Sequence, residues 1–343
     1  MRSFLTFRIL FIAIIVTSLT MLSGCSENSS QRQVIVYTSV DQVFSEPILK
    51  EFERQTGIKV LPVYDVEAAK TTGLVNRLIA ESARPKADVF WSNEYAQMII
   101  LKEKGVLATY NSASAEDIPE QYRDPEYYWT GFAGRARVII VNTELVDEDE
   151  YPHSIYDLLT PKWKDEVGIA NPLFGTTASF AAALFDYLGD KEAQAYFQSL
   201  LDNEVQIVDG NSVVRDMVVS GELKCGLTDT DDAISAIQKG EPIAMIIPDQ
   251  QGMGTLLIPN TVGLINGAPN PEEARQFIDY LLSKKTEEAL ASSSSIQIPL
   301  RDGIPIPGDM PGYNELHFMP VLLQDVADKM QESSSWLQQH FYR

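Results

Sequence analysis

The chain has 343 residues, and its 48 Asp and Glu against 27 Lys and Arg give a formal net charge of -21. So acidic a chain lacks the basic surface that nucleic acids and polybasic membrane-binding patches require, which excludes both kinds of function. The length exceeds what one hydrophobic core usually serves, and it predicts two domains.

Residues 1–25 are predicted to be a lipoprotein signal peptide. Arg2 and Arg8 provide a basic start, and the apolar run 9–21 is too short for a confident membrane span. The run ends at Leu-Ser-Gly-Cys, residues 22–25, which resembles a bacterial lipobox. That resemblance implies cleavage before Cys25, lipidation of this cysteine and a membrane anchor, inner or outer; an uncleaved anchor is the alternative.

A polar tether over residues 26–32 then leads to the fold. With Cys25 lipidated, Cys225 is the second of two cysteines and has no partner for an intramolecular disulfide. It is predicted to be buried as a small apolar side chain.

The chain from residue 34 to residue 105 alternates strands with helices. Apolar, β-rich runs predict strands at 34–37, 58–63 and 87–91, with helices between them and after the third. This alternation is typical of a parallel, doubly wound sheet. An aromatic run then leads to Arg135 and Arg137, which precede a buried strand at 138–141, and the first crossover between lobes is predicted here.

The second half repeats this rhythm. Strands are predicted at 167–170, 205–208 and 223–227, and helices at 178–188, 191–202 and 213–220. The runs 243–247 and 255–259 are predicted as crossing strands. A proline-capped helix follows at 272–282, and the tail 301–343 is predicted to be partly helical, from 319 to 330, and to pack on the lobes.

Four segments carry a resemblance to a known family: residues 36–39, 52–60, 87–91 and 134–138. With the lipobox, they resemble the periplasmic solute-binding proteins of ABC importers, nearest to the ferric-ion-binding group. The resemblance implies the type II periplasmic-binding-protein fold, an α/β architecture with two lobes, each a mixed sheet flanked by helices, and a ligand cleft between them. Lobe 1 would comprise 33–135 plus 255–300, and lobe 2 would comprise 136–254.

The chain departs from that group at its ligand positions. Ferric-binding members hold iron through a tyrosine pair just after a strand that ends in Gly-Leu, and Asp231 and Asp232 stand at the matching positions here. Tyrosine ligation of iron is therefore not carried over. No metal and no cofactor is predicted, and ferric iron held by carboxylates and an anion stays an alternative.

Two predicted turns can hold an anion. Gly175, Thr176 and Thr177 open a helix, and Asn211 and Ser212 open another in the same lobe. Helix N-termini present free backbone N–H groups and a positive potential. The alternative is ordinary N-capping by Thr176 and Ser212. Arg135, at the crossover, is a candidate to add a positive charge.

Three carboxylates, Asp229, Asp231 and Asp232, follow the strand at 223–227. They would repel a ligand that carries only an anion, so they indicate a ligand with a second, cationic or hydroxyl-rich end. An aminoalkylphosphonate and a sugar phosphate both fit. The alternative is that the aspartates are helix-end charges favoured by the helix dipole.

The opposite wall is predicted at the ends of the first and third strands. The candidates there are Thr38, Ser39 and Asp41, then Ser92 and Asn93. Asp249, near the second crossover, is predicted to be either a hinge residue or a ligand contact.

These features favour a monomeric transport receptor on the periplasmic side of the cell envelope, with an ABC permease and its ATPase as partners. A periplasmic hydrolase is a remote alternative, because the sequence has no Gly-x-Ser-x-Gly elbow, no zinc-ligand spacing and no P-loop. The protein is therefore predicted not to be an enzyme.

Overall fold

The computed structural model describes residues 31–66, 70–307 and 312–341. The predicted signal peptide, Cys25 and most of the tether lie outside these ranges. In the described residues, no helix is both long and apolar enough to cross a membrane.

Lobe 1 alternates strands and helices, as the sequence predicts. Parallel pairing places β1 between β2 and β3. The elements are β1 (Gln33–Thr38), α1 (Gln42–Thr56), β2 (Lys59–Tyr64), α2 (Thr72–Glu81), β3 (Val89–Ser92), α3 (Ala96–Glu103) and β4 (Leu107–Ala108).

One long strand, β5 (Trp129–Asn142), passes from lobe 1 into lobe 2 and is buried along its whole length. Lobe 2 then alternates again, with β6 between β7 and β8 in parallel pairing. Its elements are β6 (Val167–Ala170), α4 (Gly175–Leu188), α5 (Asp190–Asp202), β7 (Gln206–Val208), α6 (Asn211–Val219), β8 (Cys225–Asp229), α7 (Thr230–Ile237) and β9 (Ile243–Ile246).

The chain returns to lobe 1 through β10 and ends in helices. These elements are β10 (Leu257–Ile265), α8 (Pro271–Leu281), α9 (Lys284–Ala291) and α10 (Leu323–His340). The strands follow the order β2-β1-β3-β10-β5-β8-β6-β7, with β4 on β10 and β9 on β5. Since β10 pairs antiparallel with β3 and β5, each lobe has a mixed sheet flanked by helices.

The change of lobe is visible in the pairing of β5. Its residues up to Ala136 pair with β10, and those from Arg137 onward pair with β8. Arg135 and Arg137 therefore lie at the junction of the two sheets.

Some predicted boundaries are wrong. The strand placed at 255–259 is β10, which runs from Leu257 to Ile265, and the helix placed at 213–220 is α6, which begins at Asn211. The tail helix α10 extends ten residues beyond its predicted end at 330, to His340. It packs against α4 in lobe 2 and against α3 in lobe 1. Cys225 is buried and free, as predicted.

Candidate ligand-binding site

A small polar cavity lies where the strands of both lobes end. Its volume in this arrangement of the lobes is about 30 Å³, which holds roughly two water-sized groups, so a ligand of more than a few atoms enters only when the two walls move apart. The carboxyl ends of parallel strands and the following helix N-termini are where α/β folds bind ligands. The lining residues are Asp41, Lys70, Asn93, Arg135, Ala170, Asn171, Phe174, Gly175, Thr176, Thr177, Asp209, Gly210, Asn211, Asp229, Asp231 and Asp232.

The structure brings most of the candidate site residues to this cavity. The candidates that line it are Asp41, Asn93, Arg135, Gly175, Thr176, Thr177, Asn211, Asp229, Asp231 and Asp232. The candidates that do not line it are Thr38, Ser39, Ser92, Ser212 and Asp249.

The side chains of Thr38, Ser39 and Ser92 instead stabilise the wall of the cavity that belongs to lobe 1. Ser39 Oγ donates to Asn93 Oδ1 at 2.9 Å and accepts from the Asn93 amide at 3.0 Å. Thr38 Oγ1 accepts from the Val40 amide, and Ser92 Oγ accepts from the backbone amide two residues on. These hydroxyls fix the loop that carries Asn93, and their hydrogen bonds keep them within the wall.

Asp249 lies in a separate surface pocket near the second crossover. Its φ of +58° is unusual for a residue with a side chain. The carboxylate accepts from Ser154 Oγ at 2.5 Å and from the Ile155 amide at 3.2 Å. These bonds stabilise the unusual turn, so the geometry gives Asp249 a structural role at the crossover.

Two helix N-termini face the cavity. Helix α4 begins at Gly175, whose φ of +54° suits glycine, and the Gly175 amide donates to the carbonyl of Lys70 in lobe 1 at 3.1 Å. Neither Phe174 nor Gly210, the residues that precede α4 and α6, caps its helix with a side-chain hydrogen bond. Because Gly175, Thr176, Thr177 and Asn211 line the cavity, the positive potential of both helix N-termini lies at its edge.

Asp229 is held inside the protein by three partners. Its carboxylate accepts from Arg137 Nη1 at 2.8 Å, from Thr176 Oγ1 at 2.5 Å and from Asn211 Nδ2 at 2.9 Å. The Thr176 hydroxyl also accepts from Asn211 Nδ2 at 2.8 Å. Asp229 thus joins the starts of α4 and α6, and its charge is balanced by Arg137, so it does not oppose an anion in the cavity.

Asp231 and Asp232 lie in the first turn of α7 and are each paired with one arginine. Arg135 Nε is 3.2 Å from Asp231 Oδ2, and Arg215 Nη1 is 3.0 Å from Asp232 Oδ1. Burial raises the pKa of Asp231, against the lowering effect of Arg135. Burial raises the pKa of Asp232 further, and the charges of Asp231 and Asp41 add to that rise. A cation placed among these carboxylates would relieve their repulsion.

The wall of lobe 1 contributes a fourth ion pair. Lys70 Nζ lies 2.5 Å from Asp41 Oδ1, and both side chains are mostly buried.

Lys70 was not predicted as a site residue, because a single lysine after a strand has no motif to mark it. Asn171, Phe174, Asp209 and Gly210 were also missed, although each adjoins a predicted turn.

The residues that line the cavity differ from those of proteins that bind iron through tyrosine. None of its lining residues in the described ranges is a tyrosine or a histidine. The described residues also contain no group of three or more His, Cys, Asp or Glu side chains arranged to hold a metal ion. The aspartates are instead distributed among arginines and a lysine.

Comparisons with known proteins agree with this architecture. The model of the family "Bacterial extracellular solute-binding protein" matches residues 84–325. The chain is 28% identical over 323 residues to iron uptake protein A1 of Synechocystis, covering 88% of this chain and 87% of that protein.

Two solved structures have the same fold. The periplasmic binding protein AfuA from Actinobacillus pleuropneumoniae, with exogenous fructose-6-phosphate bound, gives a TM-score of 0.82 at 22% identity, over 91% of this chain and 100% of AfuA. Iron-bound HitA from Pseudomonas aeruginosa gives a TM-score of 0.81 at 23% identity, over 90% of this chain and 99% of HitA.

The family match covers most of the chain, and the two-lobed fold is that of periplasmic binding proteins. Such proteins are transport proteins of the cell envelope that carry a small-molecule ligand to an ABC permease. The resemblance read from the sequence is thus confirmed, and this chain belongs to the family of bacterial extracellular solute-binding proteins.

Proposed function

We propose that the protein captures a small ligand with a phosphonate- or phosphate-like group in the interlobe cavity and delivers it to an ABC permease. The ligand also carries an ammonium or hydroxyl-rich end. The protein performs no catalysis, acts as a monomer and is anchored in the cell envelope through a lipid on Cys25.

One observation carries this proposal: the N-termini of α4 and α6 face the same cavity as the carboxylates of Asp41, Asp231 and Asp232. The helix ends favour an anionic group. The carboxylates of Asp231 and Asp232, crowded in the first turn of α7 and with pKa values raised by burial, favour a cationic or hydroxyl donor. A ligand with both ends matches both halves of the cavity.

The energetics require several contacts together. A helix terminus contributes about 0.3–2 kcal/mol to anion binding, while micromolar affinity needs about 8 kcal/mol. Charge-assisted hydrogen bonds from the ligand to Asp231 and Asp232 would add about 1.5–3 kcal/mol each. The anionic head alone is therefore expected to bind weakly.

Ferric iron is the competing ligand, because iron uptake protein A1 and iron-bound HitA are relatives in sequence and fold. Carboxylate oxygens can hold a hard cation. In this cavity, however, four of the five lining aspartates already have a basic partner, and a trivalent cation held by them would have to displace Lys70 or the arginines.

The test compares 2-aminoethylphosphonate with ethylphosphonate, which lacks the amine, by isothermal titration calorimetry. We expect micromolar affinity for the first and at least tenfold weaker binding of the second. The double variant Asp231→Asn, Asp232→Asn should remove most of this preference, because the ammonium loses its carboxylate partners. A matched control, Asp147→Asn with Asp149→Asn, removes the same charge from an exposed loop and should leave the preference unchanged.

A sugar phosphate that binds more tightly than 2-aminoethylphosphonate would support the hydroxyl-rich form of the ligand. Ferric citrate is titrated in parallel and followed by absorbance. Tight ferric binding without any binding of phosphonates or sugar phosphates would overturn the proposal. A strong visible tyrosinate band would show that tyrosines ligate the iron, contrary to the lining of the cavity.

A further inference from the structure

A buried contact joins the two lobes just beneath the cavity. Glu94 follows Asn93, which lines the cavity from lobe 1, and Ser179 lies two residues beyond Thr177, which lines it from lobe 2. Ser179 Oγ donates to Glu94 Oε2 at 2.8 Å, and both residues are fully buried. Glu94 belongs to the loop between β3 and α3 in lobe 1, whereas Ser179 belongs to α4 in lobe 2.

The same carboxylate also fixes the start of α3. Glu94 Oε2 accepts from the Ala96 amide at 2.6 Å, and Oε1 accepts from the Gln97 amide at 3.1 Å. The Glu94 carbonyl accepts from Thr261 Oγ1 of β10 at 2.7 Å. Its position in lobe 1 is therefore fixed independently of lobe 2, and the bond to Ser179 is the part that separation of the lobes would break.

We infer that Glu94 is a positioning residue that latches the closed cavity through Ser179, and that protonation of its carboxyl group favours closure. This inference rests on the proposed function only in assuming that the lobes close around a ligand. A second interlobe bond, from the Gly175 amide to the Lys70 carbonyl at 3.1 Å, is made by backbone groups and does not titrate.

The direction of the effect follows from burial. In the closed form, burial raises the pKa of Glu94 to about 7, although bonds from Ser179 and two backbone amides oppose the rise. When the lobes separate, water reaches the carboxylate and its pKa returns towards the ordinary 4.5. The closed form therefore binds the proton more tightly, so closure is favoured at low pH and this advantage is lost as the pH rises through about 7.

No other titratable side chain in the described residues forms a hydrogen bond or an ion pair with Glu94, whereas Asp231 and Asp232, whose pKa values are raised by burial and by Asp41 across the cavity, add a separate preference for closure at low pH. Around the carboxyl group lie Ser179 of α4, the amides of α3 and the adjacent Tyr95, a buried phenol with a raised pKa caused first by burial and then by Glu94 and Asp186. The charge of Asp186, also on α4, raises the pKa of Tyr95, and because this charge is negative it cannot neutralise Glu94. No basic side chain in the described part of the chain forms an ion pair with Glu94, so a proton is what neutralises it.

The experiment measures lobe closure directly, without ligand. Spin labels are attached to the full-length protein at Lys59→Cys in lobe 1 and Lys239→Cys in lobe 2, both exposed positions, while the buried Cys225 is protected from labelling. The distance distribution is recorded by electron–electron resonance at pH 6 and pH 8. We expect the ratio of closed to open molecules to be about tenfold higher at pH 6.

Two variants identify the group responsible. Glu94→Gln, which mimics the protonated carboxyl group, should lose most of this pH dependence, and what remains belongs to Asp231 and Asp232. Ser179→Ala should shift the distribution towards the open form at pH 6, while the surface variants Glu120→Gln and Ser199→Ala should behave like the wild type. A wild-type ratio that does not change with pH, or a change of the same size in Glu94→Gln, would overturn the latch.

Binding of 2-aminoethylphosphonate is then measured at the same two pH values. If the distances change with pH as expected but the phosphonate does not bind, the latch stands and the proposed ligand class is wrong. If the phosphonate binds but the distances are independent of pH, the ligand class stands and the latch is wrong.

Discussion

At the scale of single residues, Asp229 differs from its two acidic neighbours in how it is paired. Its carboxylate and Arg137 form a buried ion pair, with side chains 4% and 1% exposed, respectively. Removing one partner of such a pair leaves an uncompensated charge and costs about 3–5 kcal/mol. We therefore expect Asp229→Asn to lower the free energy of unfolding by roughly this amount, measured by urea denaturation.

The control is Glu150→Gln, which breaks the half-exposed pair with Lys162 and should change the free energy of unfolding by less than about 1 kcal/mol. Adding Arg137→Gln to Asp229→Asn removes the unpaired charge and should recover part of the loss. Equal effects of Asp229→Asn and the control would show that the buried pair is not what holds this region together.

The sequence predicted Asp229 as a site residue but left its role open. Three aspartates after a strand indicate either the wall of a ligand-binding site or the charged start of a helix. The two interpretations differ only in which groups face each carboxylate. The group that faces the Asp229 carboxylate is the guanidinium of Arg137, which is 92 positions away in the chain. Partners so distant depend on the register between β5 and β8, which local composition does not encode.

At the scale of elements, the position of α6 depends on two glycines in neighbouring strands. Val214 of α6 packs onto Gly226 of β8 and Gly168 of β6, and a Cβ atom at Gly226 would lie 2.3 Å from Val214 Cγ1. Overpacking of this kind costs about 1–3 kcal/mol. Gly226→Ala should therefore lower stability and, because Asn211 begins the same helix, weaken ligand binding measured by calorimetry.

Shortening the opposing side chain tests this contact. The double variant Gly226→Ala, Val214→Ala removes the clash with Val214, and it should regain most of the binding, although the carbonyl of Gly168 at 3.0 Å still crowds the new methyl group. Gly252→Ala is the matched control, because Gly252, like Gly226, has no positive φ and a Cβ atom there would meet only the Asp249 carbonyl at an ordinary 3.7 Å. Binding that stays weak in the double variant would show that α6 is not displaced by this contact.

Elements were predicted well where the local pattern was strong, as in the alternation of β1 to β3 with their helices. The end of α10 was missed because residues 331–335 are polar and rich in serine, a weak helix former. The helix continues because Trp336 packs on Phe185 of α4, and Phe341, just beyond it, packs on Phe197 of α5. Tertiary contacts thus outweigh local propensity in the last turns.

At the scale of the whole molecule, the two lobes follow from the length of the chain and the repeated α/β rhythm. Closure of the lobes does not follow from either. It depends on contacts between segments far apart in the sequence, such as Ser179 with Glu94 and the Gly175 amide with the Lys70 carbonyl. Each of these residues also fits an ordinary loop or helix, so no local signal marks it as an interlobe contact.

The net charge of -21 and the buried acids together predict how stability changes with pH. Glu94, with a pKa of about 7, and Asp231 and Asp232, with raised pKa values, bind protons more tightly in the folded than in the unfolded protein. Their contribution to stability is complete below their ordinary pKa values and is lost as the pH rises through their raised pKa values in the folded protein. The free energy of unfolding should therefore fall between pH 5.5 and pH 8.

Surface carboxylates with lowered pKa values, such as Glu51 at about 2, alter the free energy of unfolding only at lower pH. Repulsion among surface charges also grows with pH, but 0.5 M NaCl screens it and leaves the buried groups almost unaffected. Urea denaturation at both pH values should therefore show a difference that persists in salt and shrinks in Glu94→Gln, whereas a difference abolished by salt would assign the whole effect to the surface.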